Sequence, residues 1–242
     1  MRFADKVVLL TGGGSGIGQG TCLAFAREGA KVAFVEVVPE RLAHTKQLLA
    51  AEDFPHLDLM ADVSKLDDVK RTVALTLEKY GRIDILVNNA GTIVPGSVLD
   101  VDEDGFDKML AINVKSVYMY CRQVIPGMIR QGGGKIVNVA SRAALGGLKD
   151  RAGYCASKAA VLLLTKAMAV DHARHNININ AINPGAVDTA LTKMTFADPV
   201  LRAEAVRKST WGRFAQPEEI APFILFLASD ESAHMTGSEI TI

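Results

Sequence analysis

The alternation of short apolar runs with longer helical patterns constrains this chain more than any other feature. Seven runs rich in β-branched and other apolar residues are typical of strands, and they cover residues 6–10, 31–36, 57–61, 83–87, 135–139, 177–182 and 239–242. Helical patterns lie between them, at residues 16–28, 40–51, 67–80, 104–130, 153–174 and 218–228. This order predicts an α/β fold of three layers, in which a doubly wound, parallel, seven-stranded sheet lies between two layers of helices.

Two segments fall outside the alternation. They cover residues 140–152 and 184–214, and the second holds a short helical pattern near 200–208. Both follow predicted strands, and ligands of doubly wound sheets bind beyond the carboxyl ends of the strands. We therefore expect these segments to form the walls of a substrate site. Because no linker, repeat or low-complexity stretch occurs, we expect residues 1–242 to form a single catalytic domain.

Charge and cysteine usage narrow the class of protein. The 27 basic and 27 acidic residues balance, which gives no electrostatic reason to expect nucleic acid or an anionic membrane as a partner. The apolar run near the N-terminus is too short for a signal peptide, and no run of 18 apolar residues follows. The three cysteines form no CxxC pair, as expected in a reducing compartment: Cys22, Cys121 and Cys155. We expect a cytoplasmic protein.

A glycine-rich loop follows the first predicted strand and opens the first predicted helix. Residues 11–18 read Thr-Gly-Gly-Gly-Ser-Gly-Ile-Gly, where glycines would let a diphosphate approach the backbone at a helix N-terminus. Glu36 ends the second strand 20 residues after Gly16, and a carboxylate there can accept hydrogen bonds from a ribose 2′-hydroxyl. It would repel a 2′-phosphate, and the following Val37 and Val38 supply no arginine. The pattern predicts NAD rather than NADP.

Polar and small residues also end the third and fourth predicted strands. Asp62 and Val63 follow one strand, and Asn88-Asn89-Ala90-Gly91 follows the other. In a doubly wound sheet both ends line one crevice, so an aspartate there can meet an adenine amino group. Turn chemistry explains these residues equally well.

A tyrosine and a lysine one helical turn apart are the candidates for proton transfer. Tyr154 and Lys158 lie four residues apart at the start of a predicted helix, which puts them on one face. A phenol titrates near pH 10, so action near neutrality needs a shift of about three units, or roughly 4 kcal/mol. A lysine ammonium and an oxidised nicotinamide could supply it. Ser141 could hold the substrate oxygen, and Asn113 could anchor a water. A surface helix pair is the alternative.

Together these segments resemble the short-chain dehydrogenase/reductase family. The matching segments, in the order and spacing of that family, are residues 11–18, residues 88–91, Asn113, Ser141, Tyr154 with Lys158, and Asn183-Pro184-Gly185 with Val187 and Thr189. The resemblance covers nearly the whole chain and implies a Rossmann fold and a nicotinamide-dependent oxidoreductase that moves a hydride to or from an alcohol or ketone carbon. One departure is that members usually continue past the last strand into an Asp-Gly-Gly segment and a tail, whereas this sequence stops at Ile242; an unrecorded tail and a truncated chain both stay open.

The resemblance also implies roles for individual residues. Tyr154 would be the general acid/base, and Lys158 would lower its pKa and bind the nicotinamide ribose. Ser141 would orient the substrate, and Asn113 would complete a catalytic tetrad. The residues expected to contact NAD are Gly12, Ser15, Gly16, Ile17, Gly18, Glu36, Asp62, Val63, Asn89, Gly91, Tyr154, Lys158, Pro184, Gly185, Val187 and Thr189.

Residues beside the tetrad suggest a substrate class. Arg142 follows Ser141, and Arg151 precedes Tyr154 by three residues. Because arginine binds carboxylates with two parallel hydrogen bonds, we hypothesise an anionic substrate, a hydroxy acid or a sugar acid such as a 2-keto-3-deoxy-aldonate. Solvent-facing arginines are the alternative. Trp211 lies where the family carries a substrate lid, and we include it as a candidate substrate contact, although a core position is commoner for a lone tryptophan.

Assembly, metal binding and competing functions complete the expectations. The helix at 155–174 is apolar almost all round, so we expect a partner subunit on one side and, by resemblance, a homotetramer. Asp171, His172 and His175 supply fewer ligands than a structural metal site needs, and we expect no metal. The same scaffold also supports a 3-oxoacyl-thioester reductase, whose members prefer NADPH. A dinucleotide-binding sensor without turnover is the remaining alternative, and the complete tetrad argues against it.

Overall fold

The computed structural model describes residues 1–196 and 198–242. Within them, seven strands form one sheet: β1 Val7–Thr11, β2 Lys31–Glu36, β3 His56–Met60, β4 Ile85–Asn88, β5 Gly134–Val139, β6 Ile177–Asn183 and β7 Glu239–Thr241. Their order is β3-β2-β1-β4-β5-β6-β7, and every neighbouring pair is parallel. The predicted doubly wound parallel sheet is confirmed.

Helices cover both faces of this sheet. They are α1 Gly16–Arg27, α2 Pro39–Ala51, α3 Leu66–Tyr80, α4 Glu103–Leu110, α5 Ser116–Arg130, α6 Ala152–His172, α7 Ala190–Thr195, α8 Pro199–Lys208 and α9 Pro217–Ala228. Side chains of β1 alternate between the two layers: Leu9 packs with α3, α5 and α6, whereas Val8 and Leu10 pack with α1, α2 and α9. Both sides of the strand are buried, which explains its uninterrupted apolar sequence.

The strand order reverses beside β1, and this reversal creates the crevice of the fold. From β1 the chain moves outward to β2 and β3, then crosses back to β4 and continues to β7. The connections on the two sides therefore diverge at the carboxyl ends of β1 and β4. Such a switch point is where doubly wound sheets bind ligands.

The helical stretch predicted near residues 104–130 is confirmed over 103–130, but it is not α-helical throughout. A π-turn over Ala111–Lys115 separates α4 from α5. A π-turn holds one more residue than an α-turn and usually survives only where tertiary contacts stabilise it. Here Asn113, 1% exposed, bonds to the loop after β4 and to α6.

The segment 184–214 holds more structure than the predicted pattern near 200–208. Besides α8, it contains the short helix α7, whose N-cap Thr189 accepts a hydrogen bond from the Thr192 N–H at 3.2 Å. The carboxylate of Asp188 pairs with Arg202 at 3.2 Å, which ties α8 to the start of α7. Residues 184–196 and 198–214, called the flap below, thus form a helical segment whose two helices are joined by this ion pair.

The α6 helix is long and apolar. Together with the following 3-10 turn it spans Ala152–His175, which by length and composition alone would suffice to cross a membrane. Core helices of globular proteins pass the same test. Val161 and Leu162 of α6 are buried in the core beside β6.

Candidate active site

A cleft of about 450 Å³ lies at the carboxyl edge of the sheet, at the switch point. Most of the predicted cofactor contacts line it: Gly12, Ser15, Gly16, Ile17, Glu36, Asp62, Val63, Asn89, Gly91, Tyr154, Lys158, Pro184, Gly185, Val187 and Thr189. Ser141 lines it as well. Gly18, Asn113, Arg142, Arg151 and Trp211 do not.

The glycine loop is shaped by its lack of side chains. Gly12 and Gly16 have φ angles of +68° and +54°, in the left-handed region that favours glycine. A Cβ on Gly18 would overlap the Gly12 carbonyl oxygen, so Gly18 lets α1 approach the loop and lies behind the cleft. Ser15 is the N-cap of α1, and in the described residues its hydroxyl makes no capping bond. Its hydroxyl and the first N–H groups of α1 can therefore bind an anion.

Glu36 lies at the edge of this loop, with a carboxylate fixed by backbone donors. It is 7% exposed. Its Oε1 accepts hydrogen bonds from the N–H groups of Val37 at 2.9 Å and Val38 at 3.0 Å, and its Oε2 accepts one from Gly14 at 3.2 Å. Both lone-pair sites of Oε1 are thus occupied, whereas Oε2 keeps one free, so a rigid acceptor is available to a ligand hydroxyl.

Two cationic residues in the cleft were missed by the sequence reasoning. Arg41, in the first turn of α2, lines the cleft beside Glu36, and Lys108 of α4 lines it as well. Neither adjoins a recognisable motif. Arg41 follows Glu36 by five residues, and only the turn into α2 brings the two together.

Asn89 and Asp62 use their side chains partly within the protein. Asn89 Nδ2 donates to the carbonyl oxygens of Thr11 and Gly12, both at 3.0 Å, and thereby fixes the start of the glycine loop. Asp62 Oδ1 accepts hydrogen bonds from the Ser64 N–H at 2.9 Å and the Ser64 hydroxyl at 2.7 Å. Asp62 therefore has the turn role that was the alternative interpretation, and it also lines the cleft.

The structure brings Ser141, Tyr154 and Lys158 to one cleft wall. Lys158 Nζ lies 5.9 Å from the centre of the Tyr154 ring and donates to the Val139 carbonyl oxygen at 2.8 Å. Burial lowers the pKa of Lys158 to about 8. Burial also raises the pKa of Tyr154, and hydrogen bonding by the Ser141 hydroxyl opposes that effect. In the protein alone burial therefore outweighs the lowering of the Tyr154 pKa that we expected from Lys158.

Asn113 lies behind this wall. Its Oδ1 accepts the Thr92 N–H at 2.8 Å, and its Nδ2 donates to the Thr92 carbonyl oxygen and to Ser157 Oγ, both at 2.9 Å. The side chain is thus committed to protein groups and fixes the loop after β4 to α6. Sequence reasoning missed Thr92 and Ser157, because their role depends on the π-turn.

The two arginines proposed as substrate contacts lie away from the cleft. Arg142 is exposed on the 3-10 turn that follows Ser141. Arg151 is the N-cap of α6, and its guanidinium donates to the Asp150 carbonyl oxygen. Neither lines the cleft, so their placement lends no support to an anionic substrate.

Trp211 is not a core residue, and that interpretation is wrong. Its side chain is 85% exposed, in a turn after α8 closed by the Gly212 N–H bond to Ser209. The aromatic anchor of the flap is instead the pair Phe196 and Phe214, whose ring centres lie 5.8 Å apart. Phe214, at 4% exposure, fills the core position.

Comparisons with known proteins agree with this fold. The family model described as "Enoyl-(Acyl carrier protein) reductase" matches residues 12–242. A 3-oxoacyl-[acyl-carrier-protein] reductase of Thermotoga maritima is 40% identical over 100% of this chain and 98% of its own length. An NAD-dependent glycerol dehydrogenase of Listeria innocua is 36% identical, over 100% of this chain and 93% of its own.

A solved structure agrees as well. A short-chain type dehydrogenase/reductase from Mycobacterium marinum superposes with a TM-score of 0.95 at 34% identity, covering 100% of this chain and 95% of that one. At this similarity both the fold and the family are shared. The chain is therefore a member of the short-chain dehydrogenase/reductase family, an oxidoreductase that acts on CH–OH groups with a nicotinamide cofactor.

Proposed function

We propose that this protein, as a single catalytic domain of residues 1–242, uses NAD to interconvert a secondary alcohol and its ketone with Tyr154 as the acid/base. The observation that carries the proposal is the common wall formed by Ser141, Tyr154 and Lys158 in a cleft that also contains the glycine loop. A hydroxyl, a phenol and an ammonium at one wall can hold an alcohol oxygen and exchange its proton.

Each residue of the wall has a distinct task. Ser141 donates to or accepts from the substrate oxygen and holds it beside the phenol of Tyr154. In oxidation Tyr154 takes the alcohol proton, and in reduction it returns one to the carbonyl oxygen. Lys158, whose pKa is about 8, is largely protonated at neutral pH, and its ammonium favours the phenolate. When bound, the nicotinamide supplies the two-electron acceptor or donor for the substrate carbon.

The cofactor side of the cleft fits a dinucleotide. A Cβ on Gly16 would lie 2.9 Å from Thr189 Cγ2, so only a glycine keeps this approach to the loop open. Glu36 supports NAD, because its fixed carboxylate would repel a 2′-phosphate, and one relative is named an NAD-dependent dehydrogenase. The guanidinium of Arg41, which lines the same cleft, would instead attract a 2′-phosphate and so favours NADP. Separate titrations of NAD and NADP test the choice, and Glu36→Gln should narrow the gap between the two affinities.

Replacing Tyr154 with phenylalanine tests the mechanism. The variant should keep its affinity for NADH, measured by fluorescence, and should lose about 10²–10⁴-fold in kcat, the usual contribution of a general acid or base. Wild-type turnover in Tyr154→Phe, with the cofactor still bound, would remove the proposed mechanism.

The substrate is best identified by assaying a panel of compounds. Hydroxy acids and sugar acids, including a 2-keto-3-deoxy-aldonate, form one arm, and neutral secondary alcohols and ketones form another. The placement of Arg142 and Arg151 outside the cleft gives the acid arm no advantage. A 3-oxoacyl thioester is the second candidate, because a relative with 40% identity is named a 3-oxoacyl-[acyl-carrier-protein] reductase. Reduction of that thioester with NADPH, and not with NADH, would favour the second candidate.

We also propose a cytoplasmic homotetramer without nucleic acid, membrane or metal as a partner. Large apolar side chains are exposed on α5 and α6, with Tyr118, Leu163 and Val170 exposed by 48%, 64% and 83%. Apolar surface of this kind supports burial against another copy. Light scattering at micromolar concentration tests the assembly, and a monomer would contradict it.

A further inference from the structure

A buried serine connects the proposed acid/base to the cofactor side of the cleft. Ser157 is fully buried, and its hydroxyl donates to the Tyr154 carbonyl oxygen at 2.8 Å while accepting from Asn113 Nδ2 at 2.9 Å. We propose that Ser157 is a positioning residue, which fixes the first turn of α6, and with it Tyr154, to the loop after β4. The inference rests on the proposed role of Tyr154.

The bonds form an unbroken chain across three segments. The loop after β4 contributes Thr92, whose N–H and carbonyl both bond to the Asn113 amide. The π-turn carries Asn113, and α6 carries Ser157 and Tyr154. The Ser157 hydroxyl donates its single proton to the Tyr154 carbonyl oxygen, and a lone pair of the same hydroxyl accepts the bond from Asn113. The direction of each hydrogen bond in the chain is therefore fixed.

The first turn of α6 has few other side-chain hydrogen bonds. Its N-cap, Arg151, makes no capping side-chain bond within the described residues, and no acidic residue lies in the first turn. Helix starts without such groups leave backbone N–H groups without partners and fray readily. Tyr154 is the third residue of this helix. The bond from Ser157 to the Tyr154 carbonyl lies within α6, and the tertiary bond from Asn113 to Ser157 anchors it, so the two together restrain the part of α6 that must hold the phenol in place.

The ammonium of Lys158 lies close to the same chain of bonds. A Cβ on Gly91 would lie 3.4 Å from Lys158 Nζ and 3.5 Å from Asn113 Oδ1. Gly91 adjoins Thr92 and lines the cleft. Gly91 of the cleft wall, the Lys158 ammonium and the Tyr154 phenol thus all lie next to the same hydrogen-bonded chain. A displacement of about 1 Å at such a site can cost about 10²-fold in rate.

Serine hydroxyls in helices often bond to the backbone carbonyl one turn earlier. A control variant is therefore needed to distinguish a positioning role of Ser157 from a purely structural one. The same helix provides one. Thr165 is 1% exposed, its hydroxyl donates to the Val161 carbonyl oxygen at 2.7 Å, and it accepts from Asn138 Nδ2 at 2.8 Å. It makes the same two bonds as Ser157, further along α6 from Tyr154. Thr165→Val removes both bonds without changing the shape.

The experiment compares Ser157→Ala with Thr165→Val in the full chain. Both variants should lose similar thermal stability, because each leaves a buried amide donor without its acceptor. Only Ser157→Ala should also lose about 10-fold or more in kcat and displace the midpoint of the pH profile of kcat. Ser157→Thr, which keeps the hydroxyl, should recover part of the rate. If Ser157→Ala does not fold, Ser157→Cys takes its place with the same readouts.

A measurement independent of turnover follows the phenol itself. The chain has four tyrosines, so ¹³C labelling of the tyrosine rings gives four signals, and Tyr154→Phe assigns one of them to Tyr154. Burial raises the pKa of Tyr154, so a looser first turn in Ser157→Ala should move its titration midpoint down. Thr165→Val should leave it unchanged.

The outcomes separate this inference from the proposed function. Equal kcat, pH profile and Tyr154 titration in Ser157→Ala and Thr165→Val would overturn the positioning role and leave the mechanism intact. Wild-type turnover in Tyr154→Phe would overturn the mechanism. In that case the ring titration still decides whether Ser157 positions the phenol.

Discussion

Replacing Lys158 with methionine should stabilise the fold at neutral pH while it removes the activity. Lys158 is 4% exposed, and its Nζ donates to the Val139 carbonyl oxygen at 2.8 Å. Burial lowers its pKa from 10.5 to about 8, since the ammonium loses hydration that the carbonyl replaces only in part. Methionine keeps an apolar stem of similar length and carries no charge.

The magnitude follows from the pKa difference between the folded and unfolded chain. Between pH 8 and 10.5 the unfolded chain binds more protons at Lys158, so the free energy of unfolding of the wild type rises with pH through that window. At about 1.36 kcal/mol per pKa unit, the charged lysine costs about 3 kcal/mol at neutral pH and about half as much near pH 9.5. The lost hydrogen bond offsets about 1–2 kcal/mol at either pH. The net gain should be about 1–2 kcal/mol at neutral pH and close to zero near pH 9.5.

Urea unfolding followed by far-ultraviolet circular dichroism measures this difference at a series of pH values. Lys31→Met is a suitable control, because the Lys31 side chain is 40% exposed and its paired Asp5 side chain is 94% exposed. Its stability difference from the wild type should change little with pH. A Lys158→Met difference that stays constant between neutral pH and pH 9.5 would refute the buried ammonium as the source of instability.

Two further predictions concern glycine and tryptophan positions. Gly14→Ala should weaken NAD binding about 10-fold, measured by calorimetry, because its Cβ would lie 2.5 Å from Glu36 Cγ and displace that carboxylate. Gly127→Ala in α5 is the control: the nearest atom is Arg130 Nη2 at 3.9 Å, so this variant should instead raise the free energy of unfolding by about 0.5–1 kcal/mol. Equal losses of NAD affinity in the two variants would contradict the argument. Trp211→Ala should change the free energy of unfolding by less than about 0.5 kcal/mol, since the side chain is 85% exposed; a larger loss would mean that the residue is buried in solution.

The parts of the fold that the sequence predicted are those set by local pattern. The strand at Lys31–Glu36 has the predicted limits, because its apolar side chains are buried on both faces. The glycine loop and the Tyr154–Lys158 pair were also found at their expected place in the cleft. In each case the signal lies within a few neighbouring residues, where spacing along the chain determines spacing in the structure.

The parts that escaped prediction depend on contacts between distant segments. Nothing in the helical period of residues 104–130 distinguishes a π-turn from an α-turn, since the bonds that hold it come from Thr92 and Ser157. Arg41 enters the cleft only through the turn into α2. Trp211 was placed in the core by the average behaviour of its residue type, whereas Phe214 fills that position.

The π-turn has a consequence for how the length of this chain can vary. An α-helix advances about 100° per residue, so removing one residue from Ala111–Lys115 would make α4 and α5 a regular helix but rotate one against the other by that angle. Either the buried Tyr120 would leave the core or Asn113 would turn away from Thr92. Insertions and deletions should therefore be tolerated in the exposed loop at residues 145–150 and excluded from this turn, however conservative the residues that replace it.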